Sequence, residues 1–209
     1  MRLTQDLIIF DLETTARDNE DGTQSNDNII QIGAVYLKRS LTRYEVEDTF
    51  NALIKPKDEV ITPFITELTG ITNEMVEEKP FFNVVGPQFA GWASRGKNLR
   101  NIRLCAWGTY FDVPILRKHY EKNNIKYHFS GTAYDVKTWA ALWMMLSGRK
   151  TDKLSVEAVM KAMAIRAQGQ FHNALFDAEC TAKNCSKSFQ RSRSWILCHK
   201  SRIWKDRTF

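Results

Sequence analysis

Leu7-Ile8-Ile9-Phe10-Asp11-Leu12-Glu13-Thr14 is an apolar run that ends in two carboxylates spaced i, i+2. In an extended strand successive side chains alternate faces, so Asp11 and Glu13 project from one side and Leu12 from the other. Carboxylates held that close repel, and a fold keeps them at the end of a buried strand mainly when a divalent cation neutralises them. A solvated D-x-E at a strand end reads the same way in isolation, so the pair needs partners elsewhere in the chain.

Two further stretches supply them. Trp107-Gly108-Thr109-Tyr110-Phe111-Asp112 continues an apolar strand expected from Ile102 to Trp107, with a turn and then a helical pattern opening at Asp112. His172-Asn173-Ala174-Leu175-Phe176-Asp177 opens the last clear helix. Five residues of ideal helix turn through about 500°, which leaves His172 and Asp177 about 140° apart and not on one face. His172 is therefore expected on the loop before the helix, with Asn173 as N-cap and Asp177 in the early turns. Hard cations such as Mg²⁺ or Mn²⁺ take carboxylate ligands, and a bound pair of them activates a water. Asp11, Glu13, Asp112 and Asp177 form the candidate ligand set. His172, an imidazole that changes charge near neutral pH, is the candidate base.

The set resembles the DEDDh (DnaQ-like, RNase T-like) family of 3′-to-5′ exonucleases. Phe10-Asp11-Leu12-Glu13-Thr14 matches its D-x-E-T motif, Asp112 its second motif, and His172 with Asp177 its H-x4-D motif. Ile29-Ile30-Gln31-Ile32-Gly33-Ala34-Val35 looks like the family's second strand, and Leu68-Thr69-Gly70-Ile71-Thr72 like its substrate-side loop. Trp107-Gly108 leans toward the branch of Eri1-type and KapD-like proteins. The likeness covers residues 5 to 188. Gln31 stands where many members have Glu. The resemblance implies Asp11 as a bridge between two ions, Glu13 and Asp177 as ligands of the first, and Asp112 as an outer or water-mediated ligand. It also implies Thr14 and the Gly70-Ile71 loop as contacts for the terminal nucleotide, and Phe111 joins them as a candidate because it lies beside a metal ligand, although core packing is the ordinary fate of Ile71 and Phe111.

The frame is that of one domain long enough for a well-buried core. Strands over 6–11, 29–38 and 43–54 form an antiparallel meander, and the strand at 102–107 pairs with the first. Helical patterns fall at 63–69, 81–95, 111–123, 134–147, 154–163 and 173–188. The fold class is α/β, a central mixed sheet of antiparallel meander plus parallel strands flanked by helices, as in the RNase H-like fold the resemblance implies. The acids of the polar stretch 16–28 lack the spacing and closing glutamate of a calcium loop, so it reads as a solvated connection.

The chain's net charge is +6, and from Lys183 to Phe209 eight lysines and arginines face one acid, Asp206. Residues 1–188 thus form the expected exonuclease domain and 189–209 a basic extension bearing Phe189, Trp195, Trp204 and Phe209. That extension either grips phosphates and stacks bases or packs as an amphipathic helix with its cations in water. Cys105, Cys180, Cys185 and Cys198 show no C-x-x-C pattern and read as free thiols. His119, His128 and His199 read as ordinary surface or partly buried residues. No signal peptide or membrane-length apolar run is read, so a cytoplasmic protein is expected.

The function expected is metal-dependent 3′-to-5′ hydrolysis of single-stranded RNA or DNA from the 3′ end, releasing nucleoside monophosphates. The other classes are a binding module that has lost turnover and an endonuclease on the same sheet. No motif carboxylate or histidine is missing, which speaks against the module, and cleavage of a circular strand would mark the endonuclease.

Overall fold

The computed structural model describes residues 5–15, 28–40, 43–150 and 153–186. Most of the acidic stretch 16–28, the boundary expected at 188, the basic extension, Cys198 and His199 lie outside them. Five strands form one sheet in the order β3-β2-β1-β4-β5: β1 Leu7–Thr14, β2 Ile29–Arg39, β3 Tyr44–Leu53, β4 Arg103–Ala106 and β5 Tyr134–Asp135. β1 is antiparallel to β2 and β2 to β3, while β1–β4 and β4–β5 are parallel. This is the mixed sheet of the RNase H-like arrangement.

The central strands are apolar on both faces because both faces are covered. Ile29 to Leu37 are all buried. Along β1, Ile8, Phe10 and Leu12 face a layer made by α3 (Phe82–Ser94) and α4 (Thr109–Lys122), where Val85, Phe89, Leu116 and Tyr120 pack. Leu7 and Ile9 face the opposite layer, where α5 (Val136–Leu146) and a final helix over 174–186, here α7, bring Val136, Ala178, Ala182 and Cys185. α6 (Val156–Ala162) packs on α5 through Trp143, Met144 and Val159. α1 (Pro63–Thr69) and the short α2 (Asn73–Glu77) form an outwork with Ile30.

Three expectations change. The helix expected to open at Asp112 begins at Thr109, because Gly108 adopts a left-handed φ of 92° and turns β4 straight into α4. The helix expected from 134 starts with a two-residue strand, β5, too short to show alternation. His119, expected at the surface or partly buried, is fully interior: its Nε2 accepts the Ile29 N–H at 3.3 Å, and Nδ1 lies 2.9 Å from the Ile115 carbonyl. Among the described residues no helix is long and apolar enough to cross a membrane.

Candidate active site

Strand alternation puts Asp11 and Glu13 on the face of Leu7 and Ile9, the α7 side of the sheet. A bulge between Glu13 and Thr14 re-aims the strand end there. Asp11 pairs across β2 with Gly33, and a Cβ at Gly33 would overlap the backbone of Ala174 and Leu175. The first turn of α7 therefore lies directly on β2, which a larger residue would prevent.

That turn carries Asp177. Asn173 caps it, its Oδ1 accepting the Phe176 N–H at 3.2 Å, and Asp177 donates its own N–H to the Asn173 carbonyl at 2.9 Å. His172 sits before the cap with a left-handed φ of 63°, and its N–H donates to Asp177 Oδ2 at 2.8 Å. The H-x4-D spacing thus closes a loop: the backbone of the histidine holds one oxygen of the aspartate. The other, Oδ1, is buried with no hydrogen-bond partner. Phe171 packs edge-on against Phe176 at 5.3 Å and steadies the approach to the helix. The His172 side chain is exposed and lines the cleft.

Oxygen atoms of Asp11, Glu13 and Asp177 lie within 4.8 Å of one another. Asp112 stands apart from that triad on the first turn of α4, 4% exposed, its carboxylate taking the N–H of Leu12 and its own backbone N–H. All four carboxyls hold protons more tightly than usual. Burial and the charges of Asp112, Glu13 and Asp177 push Asp11 well up. Burial, then Asp177 and Asp112, raises Glu13 to about 8. Burial raises Asp112 to about 7 against those two N–H donors, and raises Asp177 against the N–H and imidazole of His172. Such repulsion, with a buried oxygen lacking a partner, is what a bound cation relieves. The residues fit a divalent metal.

The cluster heads an open cleft of about 1430 Å³. Thr14 and Phe111 line it. Ile71 does not: it is 2% exposed and packs with Ile30, Ile61, Ile65 and Val76, because the Gly70 turn folds it inward. The cleft side of that segment is formed by Phe64, Leu68 and Thr69. Tyr110, Lys137, Lys153 and Leu154 complete the walls, and Trp107 Nε1 donates to the Leu154 carbonyl at 3.0 Å. Sequence reading missed Phe64, Tyr110, Lys137 and Lys153 as cleft residues. An aromatic two residues before a candidate ligand, as Tyr110 is before Asp112, was the available signal; nothing local marks the lysines. Gln31 has no negative charge to offer the cluster, and its amide instead joins Ala174 and Asn51.

The RNase_T family, described as exonuclease, matches residues 8–184. The PolC-type DNA polymerase III of Caldanaerobacter subterraneus is 30% identical over 90% of this chain, which spans 12% of that protein. The ERI1 exoribonuclease 2 of Xenopus laevis is 26% identical over 87% of this chain, 28% of its own length. Among solved structures, the nuclease domain of 3'hExo, a DEDDh family member bound to rAMP, superposes with a TM-score of 0.74 at 19% identity, covering 90% of this chain and 92% of that one. That likeness is one of fold. The family match runs from β1 through most of α7, and so takes in every carboxylate gathered at the head of the cleft: the chain belongs to the DEDDh family of 3′-to-5′ exonucleases.

Proposed function

We propose that this chain hydrolyses single-stranded RNA or DNA from the 3′ end in a metal-dependent reaction that releases nucleoside 5′-monophosphates. The observation that carries the reading is the triad of Asp11, Glu13 and Asp177 oxygens within 4.8 Å, one aspartate oxygen buried and unpartnered, at the head of an open cleft. Members of the family work with divalent metals. Here Asp11, Glu13 and Asp177 would hold Mg²⁺ or Mn²⁺, with Asp112 as an outer ligand. Such ions would supply Lewis-acid chemistry there, making a water more acidic and offsetting charge on the scissile phosphate and the departing 3′ oxygen.

The remaining roles fall to this chain's own side chains. His172, exposed in the cleft and bonded through its backbone to Asp177, accepts the proton of the attacking water at its imidazole. Thr14 and Phe111 wall the terminal nucleotide, while Phe64 and Tyr110, 63% and 75% exposed, offer rings on which bases stack without sequence readout. Lys137 and Lys153 line the same cleft and are placed for phosphates. The 3'hExo nuclease domain, which shares this fold, is bound to rAMP, which supports a ribonucleotide as one ligand to test. The reading treats residues 1–188 as the exonuclease domain and 189–209 as an extension.

The test uses matched 5′-labelled single-stranded RNA and DNA with Mg²⁺ or Mn²⁺. A ladder shortening from the 3′ end, abolished by chelator and absent on a circular strand, is the expected result. Binding without shortening under either metal would overturn the proposal in favour of a binding module, and cutting of the circle in favour of an endonuclease.

A further inference from the structure

Gln31 is a buried polar side chain near the start of β2, directly across the ladder from Glu13. Its Oε1 accepts the Ala174 N–H at 3.0 Å, and its Nε2 donates to Asn51 Oδ1 at 2.9 Å. Ala174 opens α7, and the first N–H groups of a helix have no partner within it. The Gln31 amide takes one of them and ties the helix to β2 and, through Asn51, to β3. Two residues along, Gly33 lets the backbone of Ala174 and Leu175 rest on the strand. Asp177 closes the turn that begins at Ala174, and His172 directly precedes its cap. The depth and angle of that turn decide how near the third carboxylate and the imidazole come to Asp11 and Glu13.

We propose that Gln31 is a positioning residue: by holding the Ala174 N–H it sets Asp177 in the carboxylate triad and His172 above it. The proposal rests on the exonuclease reading for its kinetic consequence but not for its metal-binding one. An amide suits the position because it accepts from the helix and donates to Asn51 without adding a charge to a cluster that already repels itself. Glutamate keeps the acceptor for Ala174; methionine keeps the shape and loses both bonds.

Mn²⁺ affinity by calorimetry, with kcat and KM on a short oligonucleotide, distinguishes this role from a merely structural one. Gln31→Met should weaken Mn²⁺ binding by about 10- to 100-fold, as outer-shell substitutions do. It should lower kcat with little change in KM. Gln31→Glu keeps the acceptor for Ala174 and adds a carboxylate opposite Glu13, so its Mn²⁺ affinity should be no more than about threefold below that of the parent chain. Val85→Ala, on the buried face of α3, serves as the control that lowers Tm while leaving Mn²⁺ affinity unchanged. The proposal is overturned if Gln31→Met behaves like Val85→Ala. Should Gln31→Met fail to fold, Gln31→Glu still decides, because a loss of affinity beyond about tenfold there shows the acceptor is not enough. A parent chain that binds Mn²⁺ tightly yet shortens no strand sinks the exonuclease reading alone.

Discussion

Asp11 serves two opposed ends. Burial beside three other carboxylates makes it a strong site for a cation and a poor residue in the metal-free protein. Asp11→Asn keeps the shape and removes the charge, so it should abolish hydrolysis and raise the Tm measured in chelator above that of the parent chain; an unchanged rate would dismiss the ligand role. His172 is exposed, so His172→Ala should leave Tm near the parent value while slowing turnover by roughly 10²- to 10⁴-fold. A pH–rate profile that keeps its shape in that variant would remove the histidine as base. Ile71 and Phe64 separate core from cleft. Ile71→Ala should cost about 2–5 kcal/mol in denaturant unfolding, whereas Phe64→Ala should leave stability alone and raise KM. Motif spacing made the carboxylates and the histidine legible, because each must stand at a fixed place on a strand end or helix start. Whether Ile71 and His119 face the core or the solvent stays open in the sequence, because the residues around them do not reveal which way a turn or a helix face points. Only the three-dimensional neighbours, Val76 for one and Ile29 for the other, show that both are interior.

The element that decides the site is α7, held by contacts of two kinds: its first turn on Gly33, and its first N–H on Gln31. Gly33→Ala puts a methyl group against backbone, which no rotamer change relieves. It should lift the first turn of the helix, destabilise the chain by about 1–3 kcal/mol and depress kcat more than KM. Parent-like kcat in that variant would mean that the close approach is incidental. The long elements were readable because hydrophobic periodicity survives over many residues, as in β1, β2 and α3. The short ones were not. β5 is two residues and α2 five, below the length at which any period can be counted, and the start of α4 was hidden because only Trp107 and Gly108 separate it from β4.

Convergence of the four carboxylates belongs to the whole molecule. Asp11 and Glu13 come from the central strand, Asp112 from the helical layer on one face and Asp177 from the layer on the other, and no local stretch brings them together. The consequence is a pH dependence opposite to that of an ordinary salt-bridged protein. In the unfolded chain these carboxyls release their protons near pH 4. In the folded metal-free chain Glu13 keeps its proton up to about pH 8 and Asp112 to about pH 7, with Asp11 and Asp177 also raised. Between those limits the folded state binds more protons than the unfolded one, so stability from this cluster is full below about pH 4 and is lost as pH rises through about 8. Asp6, at the other end of the sheet, works the other way: burial raises it, but the Arg39 N–H, Lys97 and Tyr36 outweigh that and hold it low, so its contribution fades in acid. Thermal unfolding in chelator should therefore show Tm falling from about pH 5 to pH 9. Saturating Mn²⁺ should flatten that slope, with a gain in Tm larger at pH 8 than at pH 5, because the ion must displace protons that the cluster holds more firmly in acid. A metal-free Tm that stays level across that range, or a Mn²⁺ gain that is the same at both ends, would show that the four carboxyls do not form one coupled site.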